Sequence, residues 1–220
     1  MPELRLLTAN LWNGRARPDA LADAIARTQP DAVLAQELAP EQADAIEKHL
    51  SYGVLMPRRD KRGMGLALRR PAQVALLPLP RRDALVARLL PEHWGPLAAP
   101  LEIINVHMSA PTRLSRLLLR RAQLKVLREY LERGPMTRVV AGDLNSFRLM
   151  PAYRELRSLL RDAALERRPW PAPTWSPGAS WPRLLRIDHV LLHGLAVVDV
   201  EVLRIDGSDH SAVLATLKAD

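Results

Sequence analysis

Apolar positions along the chain repeat with a period that switches between two and about 3.6, and the switches divide the sequence into strands and helices. Leu4 to Ala9 predicts a strand. Pro18 to Thr28 predicts a helix, with Pro at its first position and Leu21 and Ile25 on one face, and Ala32 to Gln36 returns to strand. The chain therefore opens as a β-α-β unit. Pro40 to Leu50 predicts a second helix, and Val54 to Met56, Gly65 to Leu68 and Val74 to Leu77 predict short strands separated by basic turns. Ala84 to Leu90 and Leu101 to His107 follow as strands, the second an almost unbroken apolar run closed by a polar residue. Leu114 to Glu132 is the longest helical stretch, with Leu117, Leu124 and Leu131 at heptad spacing, although arginines interrupt its apolar face. Thr137 to Ala141 predicts a strand leading into Gly-Asp-Leu-Asn-Ser, and Ala152 to Leu160 a helix. Arg168 to Pro182 reads as a proline-rich loop carrying Trp170, Trp175 and Trp181. Ile187 to Leu192, Val197 to Leu203 and Ala212 to Leu217 close the chain as strands.

Many strands and few helices, joined by both hairpin-like and crossover connections, predict an α/β or α+β sandwich and argue against a regular doubly wound sheet. With 220 residues and no linker, residues 1–220 are expected to form a single domain. The composition, 48% hydrophobic and 25% charged, is too apolar for disorder. The chain has no Cys, which removes disulfide frameworks, thiolate metal sites and cysteine nucleophiles. No apolar stretch approaches the ~20 residues of a membrane span, and the first strand starts too early for a secretory leader, so a soluble, cytoplasmic protein is expected.

The net charge of +8 is concentrated. Gly53 to Arg70 carries six basic residues and one acid, and Pro111 to Arg128 carries six and none, which suggests a surface that attracts phosphates. Arginine makes up 28 of the 32 basic residues, a bias that genome composition alone also produces. Neither Gly-x-Gly-x-x-Gly nor Gly-x-x-x-x-Gly-Lys occurs, which argues against dinucleotide and Walker-type sites.

Polar residues sit where apolar strands end: Asn10, Glu37, His107, Asp143 with Asn145, Asp188, and Asp209 with His210. Glu37, Asp143 and Asp209, with amide oxygens from Asn10 and Asn145, would make a hard oxygen site of the kind that holds Mg²⁺ or Mn²⁺. His210 or His107 would supply a positive or proton-donating group to a phosphoryl centre, and Asp188 could fix the tautomer of His210 as the third member of a triad does. Each residue alone has a plainer reading: Glu37 as a solvated cap, Asp143 and Asn145 as an Asx turn, Asp209-His210 as a hairpin turn and His107 as a half-buried structural histidine. His49, His93, His189 and His193 read as structural or surface residues.

The ordered set carries more than its members. Thr8-Ala9-Asn10-Leu11-Trp12, Ala35-Gln36-Glu37, Asn105-Val106-His107, Ala141-Gly142-Asp143-Leu144-Asn145, Arg186-Ile187-Asp188-His189 and Gly207-Ser208-Asp209-His210-Ser211 resemble, in order and strand context, the motifs of the endonuclease/exonuclease/phosphatase superfamily of DNase I-like proteins. The resemblance runs nearly end to end. It implies the four-layer DNase I-like fold, a two-sheet β-sandwich flanked by helices with the site at one edge. It further implies Glu37 as main metal ligand with Asn10 beside it, Asp209 completing the metal side, Asp143 activating or orienting water, and Asn145 positioning water and phosphate. His210, oriented by Asp188, would contact the phosphoryl oxygen, and His107 would act on phosphate or leaving group.

The activity implied is divalent-metal-dependent phosphodiester hydrolysis, with Mg²⁺ or Mn²⁺ as cofactor and DNA or RNA as substrate. Arg58, Arg62, Arg113 and Arg116 would contact backbone phosphates, along with Arg59, Lys61 and Arg120 nearby. Trp175, between Trp170 and Trp181, could roof a pocket or touch an interface, which keeps a second reading open: a lipid-headgroup or small-molecule phosphoesterase with a phospholipid partner. An inactive binding module is the third reading. The stretch from Ser51 to Leu101 lacks the long recognition insertions of abasic-site enzymes, which disfavours abasic DNA repair. A monomer with no obligate protein partner is expected.

Overall fold

The computed structural model describes residues 3–219 apart from 96, 98, 135 and 136. Among the described residues the chain runs β1 (Leu4–Asn10), α1 (Pro18–Thr28), β2 (Ala32–Gln36), α2 (Pro40–Glu47), β3 (Tyr52–Met56), β4 (Met64–Leu68), β5 (Gln73–Leu79), β6 (Arg82–Leu89), α3 (Pro91–Trp94), β7 (Leu101–His107), α4 (Leu114–Arg133), β8 (Arg138–Asp143), α5 (Pro151–Arg157), β9 (Arg161–Asp162), α6 (Ala163–Arg167), β10 (Asp188–His193), β11 (Leu195–Arg204) and β12 (Ser211–Ala219). The opening β-α-β unit forms as the periodicity requires: β1 and β2 pair in parallel, with Leu6 opposite Ala32 and Asn10 opposite Gln36. Pro18 starts α1, and Gln29 ends it in the left-handed region, returning its N–H to the Ile25 carbonyl.

Two mixed six-stranded sheets result, ordered β11-β12-β1-β2-β4-β3 and β5-β6-β7-β8-β10-β9. Alternation along each strand sends successive side chains to opposite faces, so the chain builds three apolar layers at once. Leu6, Leu34, Leu66, Leu85, Ile103, Val139, Val190 and Val213 meet between the sheets. Their neighbours Leu7 and Val33 face outward against Leu21, Ile25 and Ile46 of α1 and α2. Ile104 and Val140 face outward from the second sheet against Leu124 and Leu127 of α4 and Leu156 of α5. Helix, sheet, sheet and helix form the four-layer sandwich that the family resemblance implies, and no helix of the described residues is long and apolar enough to cross a membrane.

Three local expectations differ. The predicted helices over Pro40 to Leu50 and Ala152 to Leu160 stop early, at Glu47 and Arg157. The one-turn helix α3 and the pair β9 and α6 are too short to leave a periodic trace. In α4, Leu124 and Leu131 are buried as the heptad predicts while Leu117 is exposed, because the helix turns Arg120 and Gln123 inward. Arg120 is therefore no phosphate contact. Its guanidinium donates to the carbonyls of Ser109 and Leu144 and to the Ser146 hydroxyl, while Gln123 accepts from the Ser109 N–H and donates to the Pro80 carbonyl. The long helix thus ties down the loops that follow β7 and β8.

Candidate active site

Strand register collects the polar strand ends at one rim of the sandwich. In the second sheet, His107 at the end of β7 lies opposite Asp143 at the end of the parallel strand β8, and Asp143 lies opposite Asp188 at the start of the antiparallel strand β10. In the first sheet, Asn10 ends β1 opposite Gln36, with Glu37 immediately beyond, and Asp209-His210 leads into β12 alongside. The sheets are joined here by hydrogen bonds. Gln36 donates to the Asn105 side-chain oxygen at 2.7 Å, and Asn105 donates to the carbonyls of Ala35 at 3.0 Å and Gly65 at 2.7 Å.

Backbone conformation marks the same rim. Glu37 holds φ 54° and Asn145 φ 47°, a left-handed region that costs a residue with a Cβ roughly 1–2 kcal/mol. Such outliers persist where surrounding structure over-determines them. Gly142, at φ 138°, lets β8 approach β7: a Cβ there would lie 2.0 Å from the Val106 carbonyl oxygen.

Asp143 is buried and held by three N–H donors, Asn145 N at 2.7 Å, Asn145 Nδ2 at 2.9 Å and Asn10 Nδ2 at 3.0 Å. Asn10 in turn accepts from the Trp12 N–H, and Asn145 donates to the Met108 carbonyl. Burial, reinforced by the Asp188 charge, pushes the Asp143 carboxyl above its usual range, against the pull of His210. His210 Nδ1 lies 2.9 and 3.1 Å from the two Asp188 oxygens, and its backbone N–H donates to Ser208 Oγ, which donates to the Asn10 carbonyl. Burial opposes a charge on His210, yet Asp188, Asp143 and Asp209 outweigh it and push its pKa up to about 9. Thr174 Oγ1 accepts from the backbone N–H of Ile187 and Asp188, fixing the start of β10.

His107 is the opposite case. Its Nδ1 is held by the Arg82 guanidinium, so the ring proton sits on Nε2, which lies 3.7 Å from Glu37 Oε1 and 3.5 Å from Asp143 Oδ2. Burial and then the Arg82 charge drive its pKa well below the usual value, which keeps the ring neutral.

Glu37, His107, Asp143, Asn145, Trp175, Asp209 and His210 line one cavity of about 420 Å³, together with Lys61 and Arg82. Asn10 and Asp188 stand behind it as hydrogen-bond partners of Asp143 and His210. Trp175 bridges the rim, its backbone pairing with both Leu185 and His210. The basic residues expected to meet phosphate lie further out. Arg58 and Arg62 border a neighbouring cavity, both paired to Asp60, while Arg113 and Arg116 are exposed at the start of α4, where the Arg116 charge reaches Arg82. Arg82 itself went unrecognised in the sequence. It is one arginine in a basic turn, and only strand register reveals that it reaches His107.

Two buried carboxylate oxygens of this cavity, Glu37 Oε2 and Asp209 Oδ1, have no hydrogen-bond partner among the described residues. Burial raises both carboxyls, so ionising them requires positive charge nearby. Asp143, Asp188 and His210 also bring ligand atoms within 4.8 Å of one another, but those of Asp143 and Asp188 already accept hydrogen bonds and His210 Nδ1 is taken. The orphaned oxygens favour Glu37 and Asp209 as the residues that fit a hard divalent cation.

A family model described as the Endonuclease/Exonuclease/phosphatase family matches residues 7–210. No curated protein sequence matches the chain. Among solved structures, D. rerio TDP2 complexed with single strand DNA product superposes with a TM-score of 0.73 at 15% identity, covering 100% of both chains. The AP endonuclease LMAP from Leishmania major superposes at 0.74 with 18% identity, covering 99% of this chain and 88% of that one. The human Nocturnin catalytic domain with bound sulfate gives 0.74 at 17% identity, covering 100% and 95%. All three share the fold described above.

Proposed function

The chain belongs to the endonuclease/exonuclease/phosphatase family, and from that premise we propose that it is a divalent-metal-dependent phosphodiesterase acting on nucleic acid. The observation that carries this reading is the pairing, across one cavity, of an Asp143 carboxylate fixed by three N–H donors with a His210 imidazolium charged by Asp188. A carboxylate so fixed can orient water and take its proton, and an imidazolium can meet negative charge as it develops on phosphorus-bound oxygen.

In this reading Asn10 and Asn145 aim Asp143, the water oxygen attacks phosphorus, and the proton passes to the Asp143 carboxylate. His210 Nε2–H donates to a phosphoryl oxygen while the bond to the leaving oxygen breaks, and that oxygen takes its proton from water. His107, neutral and protonated on Nε2, acts as a hydrogen-bond donor toward Glu37, Asp143 or the phosphate. Glu37 and Asp209, with Asn10 beside them, would hold Mg²⁺ or Mn²⁺, and such a cation would supply positive charge to a phosphoryl oxygen. Arg113 and Arg116 extend positive charge outward for backbone phosphates, and Trp175 offers an apolar wall. The fold neighbour TDP2, solved with single-strand DNA product, supports nucleic acid as the substrate class. The reading takes the chain as one domain, monomeric and cytoplasmic.

The test is a panel of plasmid DNA, RNA, bis-p-nitrophenyl phosphate and sphingomyelin, with Mg²⁺, Mn²⁺ or chelator. Cleavage of a nucleic acid that chelator abolishes and Mg²⁺ or Mn²⁺ restores is expected, and full activity in chelator would sink the metal assignment. The lipid reading has an observation of its own, since Trp170, Trp181 and Leu184 are 76, 57 and 55% exposed on one loop. Preferred hydrolysis of sphingomyelin, with vesicle binding lost in Trp181→Ala, would favour it.

A further inference from the structure

The active-site cavity is not isolated. Arg82, whose guanidinium reaches His107, also lines a neighbouring cavity of about 370 Å³ bordered by Arg58, Arg62, Arg81 and Asp83. Its apolar floor includes Met56, Met64, Leu76 and Leu79. This cavity lies between the β3–β4 hairpin of one sheet and the β5–β6 hairpin of the other, on the flank where β3 and β5 are edge strands. Its lining is net positive: Arg58, Arg62, Arg81 and Arg82 stand against Asp83 and the Asp60 carboxylate that Arg58 and Arg62 share, while Arg82 is directed to His107 and feels the Glu37 and Asp143 charges. The floor is open, with Met56 39% and Leu76 49% exposed.

Arg81 is the informative residue. The β5–β6 hairpin pairs Leu79 with Arg82, so Pro80 and Arg81 are the two residues of its turn. Proline fixes a negative φ, and Arg81 holds φ 62°, which makes Arg81 the second central residue of a type II turn, a position where glycine is favoured. Arginine there strains the backbone and adds nothing to the core, because its side chain is exposed. What it adds is a guanidinium on a cavity that shares Arg82 with the active site.

We propose that this cavity holds a second phosphate of the substrate, one link along the chain from the scissile phosphate, so that the substrate is a polynucleotide strand and not an isolated phosphodiester. Arg81 and Arg62 contact that phosphate, and the Met and Leu floor receives the apolar face of the nucleoside between. A guanidinium matches phosphate oxygens with paired donors, and such contacts hold the strand in place without reading its sequence. The proposal rests on the phosphodiesterase reading for the position of the scissile phosphate, but the cavity can be assayed by itself.

Arg81→Gly removes the guanidinium and places the favoured residue at the strained position, so loss of folding does not confound it. Its kcat/KM on a fluorescent 20-nucleotide single strand is expected to fall about tenfold, and the slope of log affinity against log salt to become shallower by about one phosphate contact. Turnover of bis-p-nitrophenyl phosphate, which has no second phosphate, stays unchanged. Arg81→Lys restores most of the salt slope. Binding of the same strand in chelator, read by fluorescence anisotropy, weakens in parallel. Equal losses on both substrates, an unaltered oligonucleotide reaction, or an effect confined to sphingomyelin vesicles would each overturn the second-phosphate site. Strand binding that depends on Arg81 in a protein that hydrolyses nothing would instead refute the hydrolase reading and leave this site standing.

Discussion

Among the described residues, two buried pairs join a histidine Nδ1 to an aspartate carboxylate, and adjacent residues of β10 contribute to both. Asp188 points to the active-site rim and takes Nδ1 of His210 at 2.9 Å, while His189 points to the other face of the sheet and meets Asp162 through its own Nδ1 at 3.2 Å. By type, burial and distance the pairs are nearly alike. They differ at the second ring nitrogen. His189 Nε2 donates to the Ser146 carbonyl at 2.8 Å, and Asp162 also accepts from the Tyr153 hydroxyl and the Ala164 N–H, so every polar atom is engaged inside the protein. Among the described residues, His210 Nε2 makes no hydrogen bond, with Asp209 at 3.9 Å, and faces a cavity. One pair is a closed cross-link between β9, β10 and the β8 loop, and the other is half of an unfinished hydrogen-bond chain whose next member would come from outside. A histidine–aspartate dyad alone is therefore no sign of catalysis.

The sharpest way to break this contrast is to delete each ring. His210→Ala and Asp143→Asn should each lower kcat/KM on the preferred phosphodiester by about 10² to 10⁴ per folded molecule, the range of positioned acid–base groups, far more than any loss of folded protein explains. His189→Ala should do the reverse, costing about 2–4 kcal/mol of stability through orphaned partners and a cavity, with turnover per folded molecule within a few-fold of wild type. Thermal melts and initial rates on the same preparations decide, and a His189→Ala protein that melts normally but is dead would collapse the distinction.

Smaller effects follow from charge. The imidazolium of His210 should sustain activity until pH rises through about 9, and Asp188→Asn, which keeps a hydrogen-bond partner but removes the charge, should draw that alkaline limb down toward the ordinary histidine range. A profile in which the limb does not move would detach Asp188 from the role. Stability should respond at opposite ends of the scale. A histidine whose folded pKa is raised adds stability that is complete below its ordinary value near 6.5 and disappears as pH climbs through about 9. Burial works against the Asp162 charge, but His189, Arg186 and Tyr153 hold the carboxyl below its usual value near 3.8. Its contribution is present above that value and is lost on acidification, so Asp162→Asn should flatten the acid side of a denaturation midpoint plotted against pH.

Much of this architecture was legible in the chain. Strands such as Ala32–Gln36 and Leu101–His107 declared themselves because they are apolar on both faces, and the polar residue that ends each run marked the rim. The candidate site was legible for the same reason, since Asn10, Glu37, His107 and Asp143 interrupt patterns that are otherwise easily read. What stayed hidden depends on contacts between distant segments. Arg120 looked like one more cation in a basic helix, and nothing local reveals that it turns inward to hold the Ser109 and Leu144 carbonyls. Arg82 becomes visible only once β6 is aligned on β7, and β9 is two residues long. Gln36 and Asn105 lay inside recognised motifs, but their bond to each other spans two sheets.

That last bond bears on how the protein can change over generations. The two halves of the catalytic rim belong to different sheets, and oily packing alone would let one slide over the other as Val, Ile and Leu are traded within the interior. A directional amide clasp fixes their separation at the one end where separation matters. The rest of the filling between the sheets is thereby left open to drift, and lineages can rewrite it freely while the rim keeps its spacing.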